Sequence, residues 1–254
     1  MSLLKKIPIV RIFLRWHKYI IRWHEYFVRL APLNEFKDYD EYWQSRHADG
    51  HGTRILDRYK IIASLIEDNA SILDIGCGDC AFQHYLLKNK ISSKTLGIDI
   101  SPNAVSLAQE NGFSAQLIDP NVRLKNQILD NWDVVTLMEV IEHIPDAEEL
   151  MRQVLEMRPT QIFVTIPNVG CLKHRLRLLF GGRFPITTII YHMKEHLRFW
   201  TVKDFEQWAD TFDLEIYSIH GQFAHGDKIA EWFTRKFPAL FAAQIIYELR
   251  LKRE

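Results

Sequence analysis

Cysteine is scarce, at three of 254 residues (Cys77, Cys80 and Cys171). Three thiols build no disulfide framework in a chain of this size, so a reducing compartment, the cytoplasm, is expected. Long apolar runs are missing as well. The longest stretch without an acidic or basic side chain, Pro159 to Leu172, is 14 residues and contains Pro167, Asn168 and Gly170. A spanning helix needs about 20 apolar residues, so no transmembrane segment is expected. Arg11, Arg15, Lys18 and Arg22 interrupt the N-terminal apolar residues, so no secretory signal is expected. There is no surplus of charge: 32 Lys and Arg balance 32 Asp and Glu. A nucleic-acid coat needs a basic excess to displace counterions, so no nucleic-acid partner is favoured. Zinc-type spacing is absent among the 11 histidines and three cysteines, and no metal is expected. What remains is ordinary globular composition, 47% apolar and 25% charged, in a chain long enough to bury a full core.

The neutrality is uneven. Residues 1–30 carry seven basic side chains against Glu25 alone, a net of +6, so the remainder carries −6. Ile12, Trp16, Tyr19, Ile20, Trp23, Tyr26 and Phe27 recur at helical spacing between the basic residues. Two readings stay open, an interfacial helix on anionic lipid and a helix packed on the domain with a solvated basic face. Residues 36–58, rich in Tyr, Trp, His and Gly, read as a lid entering a helix at 53–67. The expected organisation is an N-terminal helical extension and lid over 1–60, then one domain over 61–254 with a lid insertion at 170–200.

From there short β-branched runs alternate with helical ones. Strands are predicted at 71–75, 94–99, 114–118, 132–138 and 161–166, with helices at 80–89, 102–111, 121–129 and 146–157. Helices at 202–211 and 227–236 and strands at 214–219 and 241–250 complete the chain. This pattern specifies an α/β, Rossmann-like, doubly wound sheet, mostly parallel with an antiparallel last strand and helices on both faces. Ligands of such sheets sit at the carboxyl ends of the strands, at the switch in strand order.

The strongest local signal is Ile72-Leu73-Asp74-Ile75-Gly76-Cys77-Gly78-Asp79-Cys80, a strand running into a glycine turn and a helix. Glycine permits the tight turn and close approach to a ligand at the helix N-terminus. The run also fits a dinucleotide pattern through Gly76, Gly78 and Ala81, with Asp99 further on for a ribose. Asp74 tips the balance. Beside a pyrophosphate its carboxylate would repel, whereas it would attract a cationic ligand end.

The stretch resembles motif I of class I S-adenosylmethionine-dependent methyltransferases. Leu96-Gly97-Ile98-Asp99-Ile100-Ser101 resembles the family's second strand, Gln116-Leu117-Ile118-Asp119 the third, the run from Trp132 to Ile144 the fourth with its turn, and Thr165-Ile166-Pro167-Asn168 the fifth. The resemblance implies S-adenosylmethionine as cofactor, held by Asp74, Gly76, Cys77, Gly78, Asp99, Ile100, Asp119, Met138 and Glu139. Asp99 would accept the ribose hydroxyls and Asp119 the adenine amino group. Cys80 departs from the motif, standing where a third glycine is usual. Segments around 163–168, 175–187 and 195–198 are similar to the methionine-biosynthesis MetW proteins. The turn from Glu139 to His143 looks instead like small-molecule methyltransferases, and about 70 residues precede motif I.

Methyl transfer is an in-line displacement that needs alignment and, for some acceptors, a base. His143 and His196 are the candidate catalytic bases, each with a structural, loop-fixing alternative. Glu142 either orients substrate or caps the following helix. Arg175, Arg183 and Arg198 either bind an anionic group or form a solvated basic face. Cys77 and Cys80 read as turn residues in preference to a redox pair. The expected activity is methyl transfer, at oxygen, to a small or lipid-linked acceptor, neutral or anionic; peripheral membrane contact through residues 1–30 follows from the lipid reading of that helix. The alternative is a MetW-like regulatory partner without catalysis. The sequence leaves the oligomeric state open.

Overall fold

The computed structural model describes residues 55–91, 94–184, 196–222 and 228–252, together with His17, Glu41 and Trp43. The expected basic helix within 1–30 and most of the expected lids over 36–58 and 170–200 lie partly or wholly outside the described residues. Among the described residues no helix is long and apolar enough to cross a membrane.

Seven strands form one sheet: β1 (Ile72–Ile75), β2 (Thr95–Asp99), β3 (Ala115–Leu117), β4 (Val134–Met138), β5 (Gln161–Pro167), β6 (Leu214–Gly221) and β7 (Gln244–Leu251). Their order is β3-β2-β1-β4-β5-β7-β6. The first five pair in parallel, and β7 runs antiparallel between β5 and β6. The mostly parallel sheet with an antiparallel last strand is therefore as expected, with that strand inserted one place inside the edge.

Strand residues alternate between two cores, as the period of two requires. Ile72, Val134, Phe163 and Ile246 pack against α1 (Asp57–Leu65) and α2 (Ala81–Lys88), through Tyr59, Ile62, Phe82 and Leu86. Leu73, Val135, Leu137, Val164 and Tyr247 face the other way, onto α5 (Ala147–Glu156) and α7 (Val202–Asp210), through Met151, Val154 and Phe205. Between these helices in sequence come α3 (Pro102–Glu110), α4 (Leu124–Gln127) and α6 (Leu172–Gly181); α8 (Lys228–Lys236) and α9 (Pro238–Phe241) precede β7. Phe205 stacks on Tyr247 at 4.0 Å between ring centroids, joining α7 to β7. At the opposite end of β1, Ser71 donates its amide and hydroxyl to Asp133 at 2.8 and 2.7 Å, which clasps β1 to β4.

Three segments differ from expectation. The helix predicted at 121–129 shrinks to α4, because Asp119 folds into a turn whose Oδ1 accepts from the Asn121 amide and whose amide donates to Gln127. The basic stretch after Pro167 is helical, α6, stopped by Gly182 in the left-handed region at φ 58°. The strand predicted from 241 starts at Gln244, because Pro238, fixed in φ and lacking an amide, opens the helical turn α9.

Gly97, in the middle of β2, has no room for a side chain. A Cβ there would lie 2.6 Å from Cys77 Sγ and 2.6 Å from Gln83 Nε2. Gly97→Val is expected to destabilise the domain by roughly 1–3 kcal/mol through overpacking, measured by denaturant unfolding.

Candidate active site

The switch in strand order falls between β1 and β4, and the carboxyl ends of β2, β1 and β4 carry Asp99, Asp74 and Glu139. Asp74 is paired in register with Gly97 on one side and Thr136 on the other. Its side chain is 2% exposed, and the Thr136 hydroxyl donates to Oδ1 at 2.5 Å. Burial, with the charge of Asp99 adding to it, pushes its carboxyl up to about 7 against the pull of Thr136 and Arg58. Asp99 is buried as well. Its two oxygens accept the Gly78 and Ser101 amides, each at 2.9 Å, which fixes the carboxylate beneath the glycine turn.

That turn is built from left-handed residues. Gly76 (φ 71°) and Gly78 (φ 55°) suit it, and Cys80 takes φ 58° at the start of α2. Cys80 thus occupies a backbone position that favours glycine, which explains why a third glycine is usual there. Its side chain is fully buried against the domain. Contact with Cys80, then burial and the nearby carboxylates, push the Cys77 thiol well above its ordinary range. A redox pair needs a stabilised thiolate, which Cys77 does not offer.

Glu139 follows β4 with φ 58°, an uncommon conformation for a side chain of this size and one found where function over-determines the backbone. Its amide donates to Thr165 O at 3.0 Å. Its carboxylate accepts from the Thr165 hydroxyl at 2.9 Å and from Gln244 Nε2 at 2.6 Å. Burial raises its pKa, opposed by Arg58, whose Nη1 lies 4.0 Å from Oε1. Arg58, from the first turn of α1, thus faces both Asp74 and Glu139. Sequence reasoning missed it, since one arginine in a helix start carries no signal before the sheet brings it over β1.

Of the other expected cofactor residues, Met138 is partly buried against the α1–α2 core. Ile100 is 48% exposed just after β2, beside Leu117 at the end of β3, 47% exposed, so an apolar shelf flanks Asp99. Asp119 is exposed and partly engaged by Asn121. Trp43, from the lid segment, lies on the glycine turn: a Cβ on Gly78 would come within 2.2 Å of its ring.

Beyond Glu139 a 3-10 turn, Ile141–His143, leads into α5. Glu142 is fully buried, and its carbonyl accepts the Leu197 amide at 2.7 Å and the Arg198 amide at 3.3 Å. This clasp brings His196 onto His143, with ring centroids 4.6 Å apart and planes near perpendicular. Helix capping falls to Asp146, whose side chain accepts from the Glu149 amide, so Glu142 is released from that role. Burial, then the His143 charge, lowers His196 to about 3. A neutral imidazole of that kind is a weak proton acceptor at neutral pH, which opposes its expected role as general base. It remains a lone-pair donor. Glu142, His143 and His196 each offer a ligand atom within 4.8 Å of the others, a set able to hold a cation. The expectation of no metal rested on sequence spacing, which is blind to a histidine arriving from a distant segment.

The arginines are largely structural. Arg198 pairs with Glu148 and donates to Pro145 O at 2.5 Å, tying the clasp to α5. Trp208 adds a bond to Glu148 at 2.8 Å, and with Arg198 this holds the Glu148 carboxyl at about 2. Arg175 donates to Gly170 O at 2.5 Å. Arg183 keeps a buried Nη1 without a hydrogen-bond partner among the described residues. Asn168, at the end of β5, is a clasp too, donating to Ala239 O and Ala242 O at 3.0 and 2.9 Å.

The strand order, the glycine turn over Asp99 and the carboxylates at the switch point define the Rossmann-like fold of the class I S-adenosylmethionine-dependent methyltransferases. More narrowly, the chain belongs to the family of the methionine biosynthesis protein MetW, whose model matches residues 56–249. It is 26% identical over 172 residues to a small RNA 2'-O-methyltransferase of Xenopus tropicalis, covering 60% of this chain and 44% of that one, so it spans less than half the length of that relative. It is 24% identical over 174 residues to a ubiquinone biosynthesis O-methyltransferase of Actinobacillus pleuropneumoniae, covering 64% and 72%. Among solved structures it is similar in fold to the magnesium protoporphyrin IX methyltransferase of Synechocystis with bound SAH, at a TM-score of 0.52 and 13% identity over 95% of this chain and 100% of that one.

Asp74 supplies a test of the site's electrostatics. The folded state keeps a proton that the unfolded chain releases above its ordinary 3.8, so the group's contribution to stability is full below that pH and lost by about 7. Asp74→Asn should flatten the decline between pH 4 and 7 and be the more stable form above pH 7, measured by thermal unfolding across that range.

Proposed function

We propose that the protein transfers the methyl group of S-adenosylmethionine to a hydroxyl oxygen of its acceptor. The observation that supports this best is the row of buried or largely buried carboxylates, Asp99, Asp74 and Glu139, at three adjacent strand ends. Two of them would repel a pyrophosphate and attract a ligand carrying an amine and a sulfonium. When bound, the cofactor supplies an activated methyl group. The residues fit it. Asp99, held beneath the glycine turn by two amides, suits the ribose hydroxyls as an acceptor. Ile100 and Leu117 offer apolar surface to a flat ring, and Asp119 lies at the same strand end. Asp74 and Glu139 suit an ammonium, and Arg58 between them suits a carboxylate. Trp43 excludes water from the turn.

Oxygen as acceptor atom is supported by the names of both curated relatives, each an O-methyltransferase. One acts on small RNA, which sets an RNA hydroxyl beside the small-molecule and lipid-linked acceptors and against the expectation of no nucleic acid. A lipid-linked acceptor finds support in α6, where Leu178, Leu179 and Phe180 are 54, 72 and 75% exposed. The regulatory alternative is not favoured, since a partner without catalysis needs no strained Glu139 and no buried carboxylate row. We read residues 1–60 and 170–200 as the acceptor-side lids.

Calorimetry with S-adenosylmethionine and S-adenosylhomocysteine tests the cofactor. Saturable binding is expected, and Asp99→Ala should abolish it; no binding at millimolar cofactor would overturn the reading. Labelled-methyl transfer to a lipid extract and to small RNA, run side by side, then separates the acceptor classes.

A further inference from the structure

We infer that Gln127 is a positioning residue: it holds Asp119 where the cofactor's adenine is read, and so sets the preference for adenine over other purines. Its role rests on the methyl-transfer reading, in which Asp119 meets the adenine amino group. Gln127 is the last residue of α4, half-buried, and its carboxamide makes three bonds to the Asp119 loop. Oε1 accepts the Asp119 amide at 2.8 Å, and Nε2 donates to Asp119 O at 3.0 Å and to Val122 O at 2.7 Å. Gln116, from β3, donates to the Gln127 carbonyl at 3.0 Å and ties the same residue to the sheet. Turning the carboxamide over would set its N–H groups against an amide and its oxygen against two carbonyls, so the pattern admits one orientation.

Asp119 is exposed, and within its own loop only Asn121 engages the carboxylate. The Asn121 amide and Nδ2 donate to Oδ1 at 2.8 and 3.0 Å, while Oδ2 accepts from no described residue. Those bonds move with the loop and fix nothing relative to the sheet. Gln127 does. Helix α4 is anchored on α5: the Leu124 amide donates to Gln153 Oε1 at 2.8 Å, Arg123 and Lys125 pair with Glu156, and Leu124 is buried. At the other end of the loop the Ile118 amide donates to Asp99 O at 3.0 Å, beside the carboxylate read as the ribose acceptor. Asp119 is thus suspended between β2 and α5, and Gln127 carries the second attachment.

The chemistry separates aiming from mere support. Adenine presents an exocyclic amino donor, which a carboxylate accepts; hypoxanthine presents a carbonyl there, which a carboxylate repels. A loose carboxylate swings to the ring N–H beside that carbonyl and loses the distinction, whereas a held one cannot follow. A loop that must first be ordered also subtracts its ordering entropy from the bond it makes. Support alone would be needed equally by both purines, but aim matters only to the one with the amino group.

The experiment titrates the full chain calorimetrically with S-adenosylhomocysteine and with S-inosylhomocysteine. Wild type should prefer the adenine ligand by about tenfold or more, the worth of one hydrogen bond to a charged group. In Gln127→Ala, which loses all three bonds, and Gln127→Glu, which keeps only the one it accepts, the preference should fall to about threefold or less, through weaker binding of the adenine ligand. Thermal unfolding of each variant reports whether it folds. Asp119→Ala should lose the preference too, and adding Gln127→Ala to it should change either affinity by no more than about twofold, since both act through one contact. Equal binding of the two ligands by wild type, an unchanged preference in a folded Gln127 variant, equal losses for both ligands, or losses that add in the double variant each overturn the inference. Where wild type binds S-adenosylhomocysteine and only the preference fails, this inference alone is lost; where it binds neither ligand, the methyl-transfer reading falls with it.

Discussion

Two carboxylates, Asp74 and Asp99, are buried at the ends of adjacent strands, and the geometry of the site follows from making that tolerable. Like charges in a low dielectric are unstable unless each is hydrogen-bonded, neutralised or protonated. Asp99 is satisfied by two backbone amides, and those amides exist only because the glycine turn holds Gly78 above it and α3 starts at Ser101. Asp74 is satisfied by the Thr136 hydroxyl from the neighbouring strand, faces Arg58 from α1 and keeps a proton to about pH 7. Sheet, turn and helix are thus tied to one electrostatic constraint. A cationic ligand end relieves it.

The second half of the site depends on the antiparallel end of the sheet. Gln244 of β7 and Thr165 of β5 hold the Glu139 carboxylate from two directions while its backbone sits in the left-handed region. That turn sets the chain into the 3-10 segment, where the Glu142 carbonyl collects residues 197 and 198. Strain at Glu139 and the ring of His196, which has no hydrogen-bond partner among the described residues, are therefore linked through the Glu142 carbonyl. Local cost of this kind persists where the surroundings over-determine it.

Much was legible beforehand because strands and helices have different periods. All seven strands lie within a few residues of their predicted places, and Asp74, Asp99 and Glu139 fall at or beside strand ends because each lies within a residue of the close of a short, largely apolar run. The failures have physical causes. Helix α6 was hidden by its basic residues, which suggest a solvated face although Arg177 and His174 are buried. Arg175 and Arg198 read as either anion-binding or solvated, but a guanidinium is as readily consumed by a carbonyl or carboxylate whose position no spacing reveals. Spacing is also silent on the cluster of Glu142, His143 and His196, because His196 joins the other two only in the fold.

The sequence by itself determined the layer architecture, the glycine turn and the row of acids, because side-chain period and backbone permissiveness are local properties. It also determined the uneven charge, basic at the N-terminus and acidic elsewhere. Only the tertiary structure decided which polar groups meet. It set Arg58 over Asp74, Trp43 on Gly78 and His196 against His143, and it drew a proton onto Asp74 and kept one off His196. Those outcomes depend on distance and burial between residues far apart in the chain, and neither quantity exists until the sheet has formed.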